Sequence, residues 1–279
     1  MRIHMTMAWV LALAWPLPGM CAVKGGQASG YFRIGDMRLE VSRAIAVIED
    51  SSGLPEDRRT LVFLSRDALD AGKVAAAFDA DDAVREALEG KPDDYVRLCI
   101  DADGSDCGLF FSPEGFYTGG YGELTLEKSD TGHITGRWVL AKPEDFFGKS
   151  YDFDLHFDAP ITSAPGQPLP GGGGEPGVAY NSYLDALAKS DFAALRRETG
   201  NAWHSEGADA TAAKEALKSL RDGQPLHADI IRGLLDGDQA TLWVEGVDRD
   251  DIRRRGRVLM QRVDGGWRYA ESDLDSVDE

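Results

Sequence analysis

The sequence predicts an α+β protein: a β-rich antiparallel N-terminal domain with a short helical insertion, then a C-terminal half of helices packed on a curved antiparallel sheet. Three observations carry this. Strand-like patterns run through residues 37–158 with one helical interlude, helical spacing precedes hairpins after residue 177, and a Pro/Gly-rich stretch separates the two parts. At 279 residues the chain has the length of two domains, and 43% hydrophobic content gives each enough to bury a core.

Charge narrows the function. The chain carries 30 Lys and Arg against 48 Asp and Glu, a net charge of −18, and its isoelectric point of about 4.6 opposes any general attraction to nucleic-acid phosphates or anionic lipid. Both halves share the bias: residues 23–175 hold 15 basic and 28 acidic side chains, and residues 176–279 hold 14 and 20. Nucleic acid is therefore disfavoured as a partner.

Residues 8–15 form an apolar run after Arg2, of secretory-signal length and well short of the roughly 20 residues that span a bilayer. Pro16 and Pro18 break it, and Gly19-Met20-Cys21-Ala22 offers small residues for cleavage, so residues 1–22 read as a signal peptide. Cleavage after Ala22 releases the chain. Cleavage before Cys21 gives an acylated terminus that resembles a bacterial lipoprotein's, although Pro18 stands where a lipobox has an aliphatic residue, and such an anchor tethers without spanning. Both routes lead to the periplasm or an outer-membrane tether. With Cys21 removed or acylated, Cys99 and Cys107 remain as an even pair that an oxidising compartment joins in a disulfide.

In the first domain, residues 23–161, positions 37–42 alternate at period two, and residues 44–48 and 61–64 are short apolar runs of the kind buried on both faces. Between residues 67 and 91, Val74, Ala77 and Phe78 and then Val84, Ala87 and Leu88 recur at helical spacing, with Asp81 or Asp82 placed to cap the second of two short helices. Residues 96–100, 109–111, 124–126 and 134–140 continue as an antiparallel meander. In residues 151–158 aromatic and aliphatic side chains take one face and Asp152, Asp154, His156 and Asp158 the other. His156 between two carboxylates has metal-ligand chemistry, and Asp101, Asp103 and Asp106 around Gly104 partly resemble a calcium loop. The glycine is fourth instead of sixth, and Ser112 stands where a bidentate Glu belongs. Both sets read as ordinary polar surface, with no metal or other cofactor assigned.

Residues 162–176 combine prolines with a four-glycine run and read as a linker. In the second domain, residues 177–279, Tyr180, Tyr183, Leu184 and Leu187 mark one helix face, Phe192 and Leu195 a second short helix, and Ala213, Ala216, Leu217 and Leu220 a third. Hairpins follow over 227–247 and 257–270. Leu242 and Val244 alternate with Trp243 and Glu245. If the first pair faces the helices, Trp243 lies outside, where it suits a protein partner or the first domain.

Tyr180-Asn181-Ser182-Tyr183-Leu184-Asp185 at the start of this order and Val263-Asp264-Gly265-Gly266-Trp267-Arg268 near its end resemble the nuclear transport factor 2-like (SnoaL-like) superfamily, over about 100 of the 279 residues. The resemblance implies a C-terminal α+β cone enclosing a pocket, used in that superfamily by isomerases, cyclases, hydratases and binding or dimerisation modules. Tyr180, Tyr183 and Trp203 are the ligand-binding residues it suggests, with Tyr183 at the mouth and Leu187 in the core. His227, Asp229 and His204 are the acid–base candidates; they read as solvated edge positions, and no catalytic residue is assigned. The first domain more weakly resembles uncharacterised secreted β-rich domains. Residues 248–257 hold a dense run of arginines, suited to an anionic ligand or balanced by the run's own aspartates.

These features describe an exported envelope protein, non-catalytic, that binds a small apolar molecule or a protein partner. Two alternatives stand beside it: a periplasmic isomerase, cyclase or hydrolase of the cone type, and an immunity or inhibitor protein directed at a secreted toxin.

Overall fold

The computed structural model describes residues 26–89, 94–199, 215, 217–218 and 220–277; the signal segment and Cys21 lie outside them. The protein is mostly β, 52% strand against 21% helix, in two antiparallel sheets. This corrects the α+β class with its C-terminal cone. Among the described residues the helices are few, whereas the strands of the second hairpin pair grow to 11 residues each.

The first sheet comprises β1 (Gly26–Ile34), β2 (Met37–Glu40), β3 (Arg43–Glu49), β4 (Arg59–Ser65), β5 (Tyr95–Ile100), β6 (Asp106–Phe111), β7 (Phe116–Thr118), β8 (Glu123–Asp130), β9 (His133–Phe146) and β10 (Lys149–Thr162). Its order is β7-β6-β5-β4-β3-β1-β10-β9-β8, with β2 on β1. β7 and β8 stand at opposite ends of this path, yet residues 119–122 alone join them, a link that reaches no more than roughly 18 Å. The sheet therefore curls into an open barrel. Side chains that alternate inward fill it: Phe32 of β1 lies 4.5 Å from Phe111 of β6 and 5.9 Å from Phe153 of β10, centroid to centroid.

The continuous apolar runs are covered on both faces, as their composition predicts. Ala44, Ala46, Val62 and Leu64 enter the barrel core, while Ile45, Val47, Leu61 and Phe63 pack under α1 (Ala71–Ala76) and α2 (Ala80–Ala87). The caps differ from expectation. Asp70 accepts from the Gly72 and Lys73 N–H groups and Asp79 from that of Asp82, while Asp81 accepts from the Tyr95 hydroxyl at 2.7 Å and from Arg97.

The second sheet follows chain order: β11 (Gln167–Pro168), β12 (Asp229–Asp236), β13 (Gln239–Val247), β14 (Arg253–Val263) and β15 (Gly266–Ser276). Its last turn sets Asp264 and Gly265 at φ 52° and 81°, the left-handed pair a two-residue hairpin needs. Against one face lie α3 (Gly174–Lys189) and α4 (Phe192–Glu198). Of the third expected helix, Glu215, Leu217, Lys218 and Leu220 are described, and they are helical. The segment read as linker is built into the fold: Thr162 ends β10, Gln167 and Pro168 pair with β12, and α3 begins at Gly174.

Candidate functional site

β13 alternates so that Leu242 and Val244 enter the helix-covered core, which turns Trp243 to the opposite face. That face meets the end of β3, so of the two roles the sequence allowed Trp243, the structure shows the contact with the first half. Just past β3, Asp50 organises a turn. Its Oδ1 accepts the Gly53 N–H at 2.8 Å, and its Oδ2 accepts Arg58 Nε at 2.8 Å and Arg232 from β12. Its main-chain oxygen accepts the Trp243 indole N–H at 2.6 Å. The Arg232 guanidinium lies 3.4 Å over the Trp243 ring, a cation–π contact. Gly53 has φ 83°, and a Cβ there would sit 2.8 Å from that of Trp243, so glycine is needed for both the turn and the approach of the indole. Burial draws Arg232 below the ordinary guanidinium range, with Asp50 opposing.

Beside this contact a cleft of about 70 Å³ opens between the sheets, room for a few waters or a small chemical group. Glu49 of β3, Ala77 and Phe78 after α1, Pro165 of the connecting segment, and Trp243 and Arg257 of the second sheet line it. Arg257 stands directly across from Trp243 in the β13–β14 register. One of its terminal nitrogens donates to Asp273 at 3.1 Å, its guanidinium lies 5.0 Å from the Phe78 ring, and its buried Nε has no hydrogen-bond partner among the described residues. Burial pushes the Glu49 carboxyl above its usual range, against the pull of Arg257, Arg97 and Arg59.

Of the ligand-binding and acid–base candidates read from the sequence, those that the structure describes lie elsewhere. Tyr180 and Tyr183 are fully buried and stack with Tyr269, the Tyr183 and Tyr269 rings 4.2 Å apart. The stack occupies the interior where a cone would keep a pocket, and Tyr183 sits deep in it, not at a mouth. Tyr180 donates to Gln224 Oε1 at 2.9 Å, whereas the Tyr183 hydroxyl makes no hydrogen bond of good geometry among the described residues. Trp203 and His204 lie outside the described residues. His227 and Asp229 are both exposed.

Cys99 and Cys107 form the expected disulfide, Cα atoms 5.0 Å apart. In the acidic turn Asp101 accepts from Arg59, Asp103 from the Ser105 N–H and Asp106 from the Gly120 N–H, so each carboxylate already has a donor. On β10, Asp154 accepts two hydrogen bonds from Arg137 and lies 3.2 Å from His156, while Asp158 pairs with His133. The arginine run is likewise paired: Arg253 and Arg255 with Glu245, Arg254 with Asp248. Burial would raise both acids, yet hydrogen bonds from these arginines hold them below the usual carboxylate range.

Glu49, Asp50, Gly53 and Arg232 were not singled out from the sequence, and Phe78, read there as a helix position, lies beyond the end of α1. Asp50-Ser51-Ser52-Gly53 after an apolar strand is a legible turn signal. Its partner, nearly two hundred residues away, leaves no local mark.

The disulfide fits an oxidising compartment, and no helix among the described residues is long and apolar enough to cross a membrane. The chain matches no protein-family model and no curated protein sequence. Fold and site together define a class: a disulfide-bonded, mostly β protein with a cleft where its two sheets meet.

Proposed function

We propose that the chain is an exported, non-catalytic binding protein that holds a small ligand with an apolar body in the cleft between its sheets. The observation that carries this is convergence. The first sheet, its helices, the connecting segment and the second sheet each contribute to one concave site with apolar walls and a few polar groups, the usual composition of a ligand pocket. The contact from Asp50 to Trp243 and Arg232 supports the reading by holding the two walls at a set spacing. On this reading the ligand does not touch Tyr180 and Tyr183, which are buried in the ring stack with Tyr269.

Native mass spectrometry of protein purified from its own cell envelope tests this. The expected result is a retained small molecule that is lost when Ala77→Phe fills the cleft. Retention unchanged by Ala77→Phe, or a mature chain that carries nothing, would overturn the reading; the same spectra report whether Cys21 is acylated or absent.

A further inference from the structure

A second recess opens between the two halves, and it shares no lining residue with the cleft. It measures about 320 Å³ against the cleft's 70 Å³, room for a whole small molecule. Ser51, Asp57 and Arg59 line it from the first half, and Arg255, Asp275 and Ser276 from the second. Arg255 and Asp275 are directly opposed in the β14–β15 register, which sets their side chains on one face roughly 5 Å apart at Cβ. Asp57 and Arg59 lie two positions apart where the chain enters β4.

Both arginines commit their Nε to acids that do not line the recess: Arg59 to Asp101 at 3.2 Å and Arg255 to Glu245 at 2.7 Å. Among the described residues the carboxylates of Asp57 and Asp275 have no hydrogen bond and no ion pair, and the terminal nitrogens of Arg59 have no acceptor. Asp57, Arg59 and Asp275 are exposed, so a guest in the recess can reach all three.

Each wall thus sets an uncommitted carboxylate beside a guanidinium whose charge is already answered. An anion meets two carboxylates, and the arginines have acids of their own. A cation pairs with the carboxylates but displaces water from the Arg59 N–H groups and gives them no acceptor. A hydroxyl donates and accepts at once, and two hydroxyls on adjacent ring carbons can take a carboxylate and a guanidinium together. The walls are almost wholly polar, unlike those of the cleft, and the Ser51 and Ser276 hydroxyls extend the same chemistry.

We infer that this recess binds a neutral polyhydroxyl compound of the size of a sugar ring, its hydroxyls donating to Asp57 and Asp275 and accepting from Arg59. The site is independent of the cleft and stands whether or not the cleft holds a ligand.

The test titrates the full mature protein with D-glucose, D-galactose and D-mannose, and with D-glucuronate and protonated D-glucosamine as charged probes, while backbone amide resonances are followed. At least one neutral sugar is expected to shift the signals of Ser51, Asp57 and Asp275 and to bind about tenfold or more tighter than either charged probe, the scale of one well-made hydrogen bond. Asp275→Ala and Arg59→Leu alter exposed side chains whose loss costs the fold little, and each should weaken that sugar by a similar factor, whereas Ala77→Phe in the cleft should leave it unchanged. Maltose separates two sources of this chemistry: binding as tight as that of glucose marks the end ring of a glycan, weaker binding a free sugar, and either supports the hydroxyl assignment. Tighter binding of glucuronate or glucosaminium, sugar binding untouched by both variants, or no shift at these residues with any sugar well above millimolar concentration overturns it.

Discussion

Trp243 donates its indole N–H to the main-chain oxygen of Asp50 at 2.6 Å, and through that bond an outward-facing residue of the second sheet is buried to 3% exposure against the first. Trp243→Phe keeps an aromatic ring but removes the donor and part of the buried indole, so the Asp50 carbonyl is left unsatisfied beside a gap, and stability should fall by at least about 1–3 kcal/mol. Gly53→Ala should cost a further about 1–2 kcal/mol for its left-handed backbone, plus the clash with the indole. In a Trp243→Ala background the clash is absent. Urea denaturation of the two single variants and the double should therefore show a less than additive loss; strict additivity would mean that Gly53 serves the turn alone.

The stacked tyrosines predict opposite responses to loss of a hydroxyl. Tyr180→Phe breaks the bond to Gln224 and should cost about 1 kcal/mol, while Tyr183→Phe removes a buried hydroxyl with no hydrogen bond of good geometry among the described residues and should be neutral or stabilising. Leu187→Ala, at 3% exposure in the same core, should cost about 2–5 kcal/mol. Thermal or denaturant melts of the three variants give the ranking directly, and a strongly destabilised Tyr183→Phe would contradict it.

Reduction of Cys99–Cys107, or the double serine variant, should cost about 2–3 kcal/mol in the chain-entropy estimate for so short a loop. Thiol titration of the folded protein should find neither cysteine reactive until reductant is added.

Calcium should leave the thermal midpoint unchanged, since Asp101, Asp103 and Asp106 already accept hydrogen bonds from Arg59, Ser105 and Gly120. A ligand that binds only the folded state must raise the midpoint. A rise of several degrees in millimolar calcium, abolished by Asp103→Ala, would reverse this assignment.

Glu49 supplies a pH dependence of unusual sign. Its carboxyl is raised in the folded state by burial, so the folded protein holds that proton more tightly than the unfolded chain does. Stability from this group is fully present below the unfolded carboxylate value and is lost as pH rises through the raised folded value. Glu49→Gln should therefore be more stable than the parent at pH 8 and indistinguishable from it at low pH. An equal difference at both ends of a pH series of denaturation curves would show that titration is not involved.

What the sequence determined by itself was local. Unbroken apolar runs placed β3 and β4 between two covered faces, helical spacing set α1 and α2 between β4 and β5, and period-two alternation turned Trp243 away from Leu242 and Val244. Each of these is a statement about one segment's own side chains, so neighbouring residues suffice to make it. Tertiary structure decided what covers each face. β1, which carries no strong alternation, gains its place by pairing along β10 more than a hundred residues later. Tyr183, amphipathic enough for a pocket mouth, is buried because Tyr180 and Tyr269 offer it flat surfaces. The cone failed for the same reason: helix-then-strand order is a pattern of segments, while the filling of the interior by Tyr180, Tyr183 and Tyr269 follows from how three rings pack. Asp50 reads in the chain as a turn residue and nothing more. Arg232 and Trp243 find it only after both sheets have formed, since alternation fixes the side a residue faces but carries no record of the distant surface that will meet it.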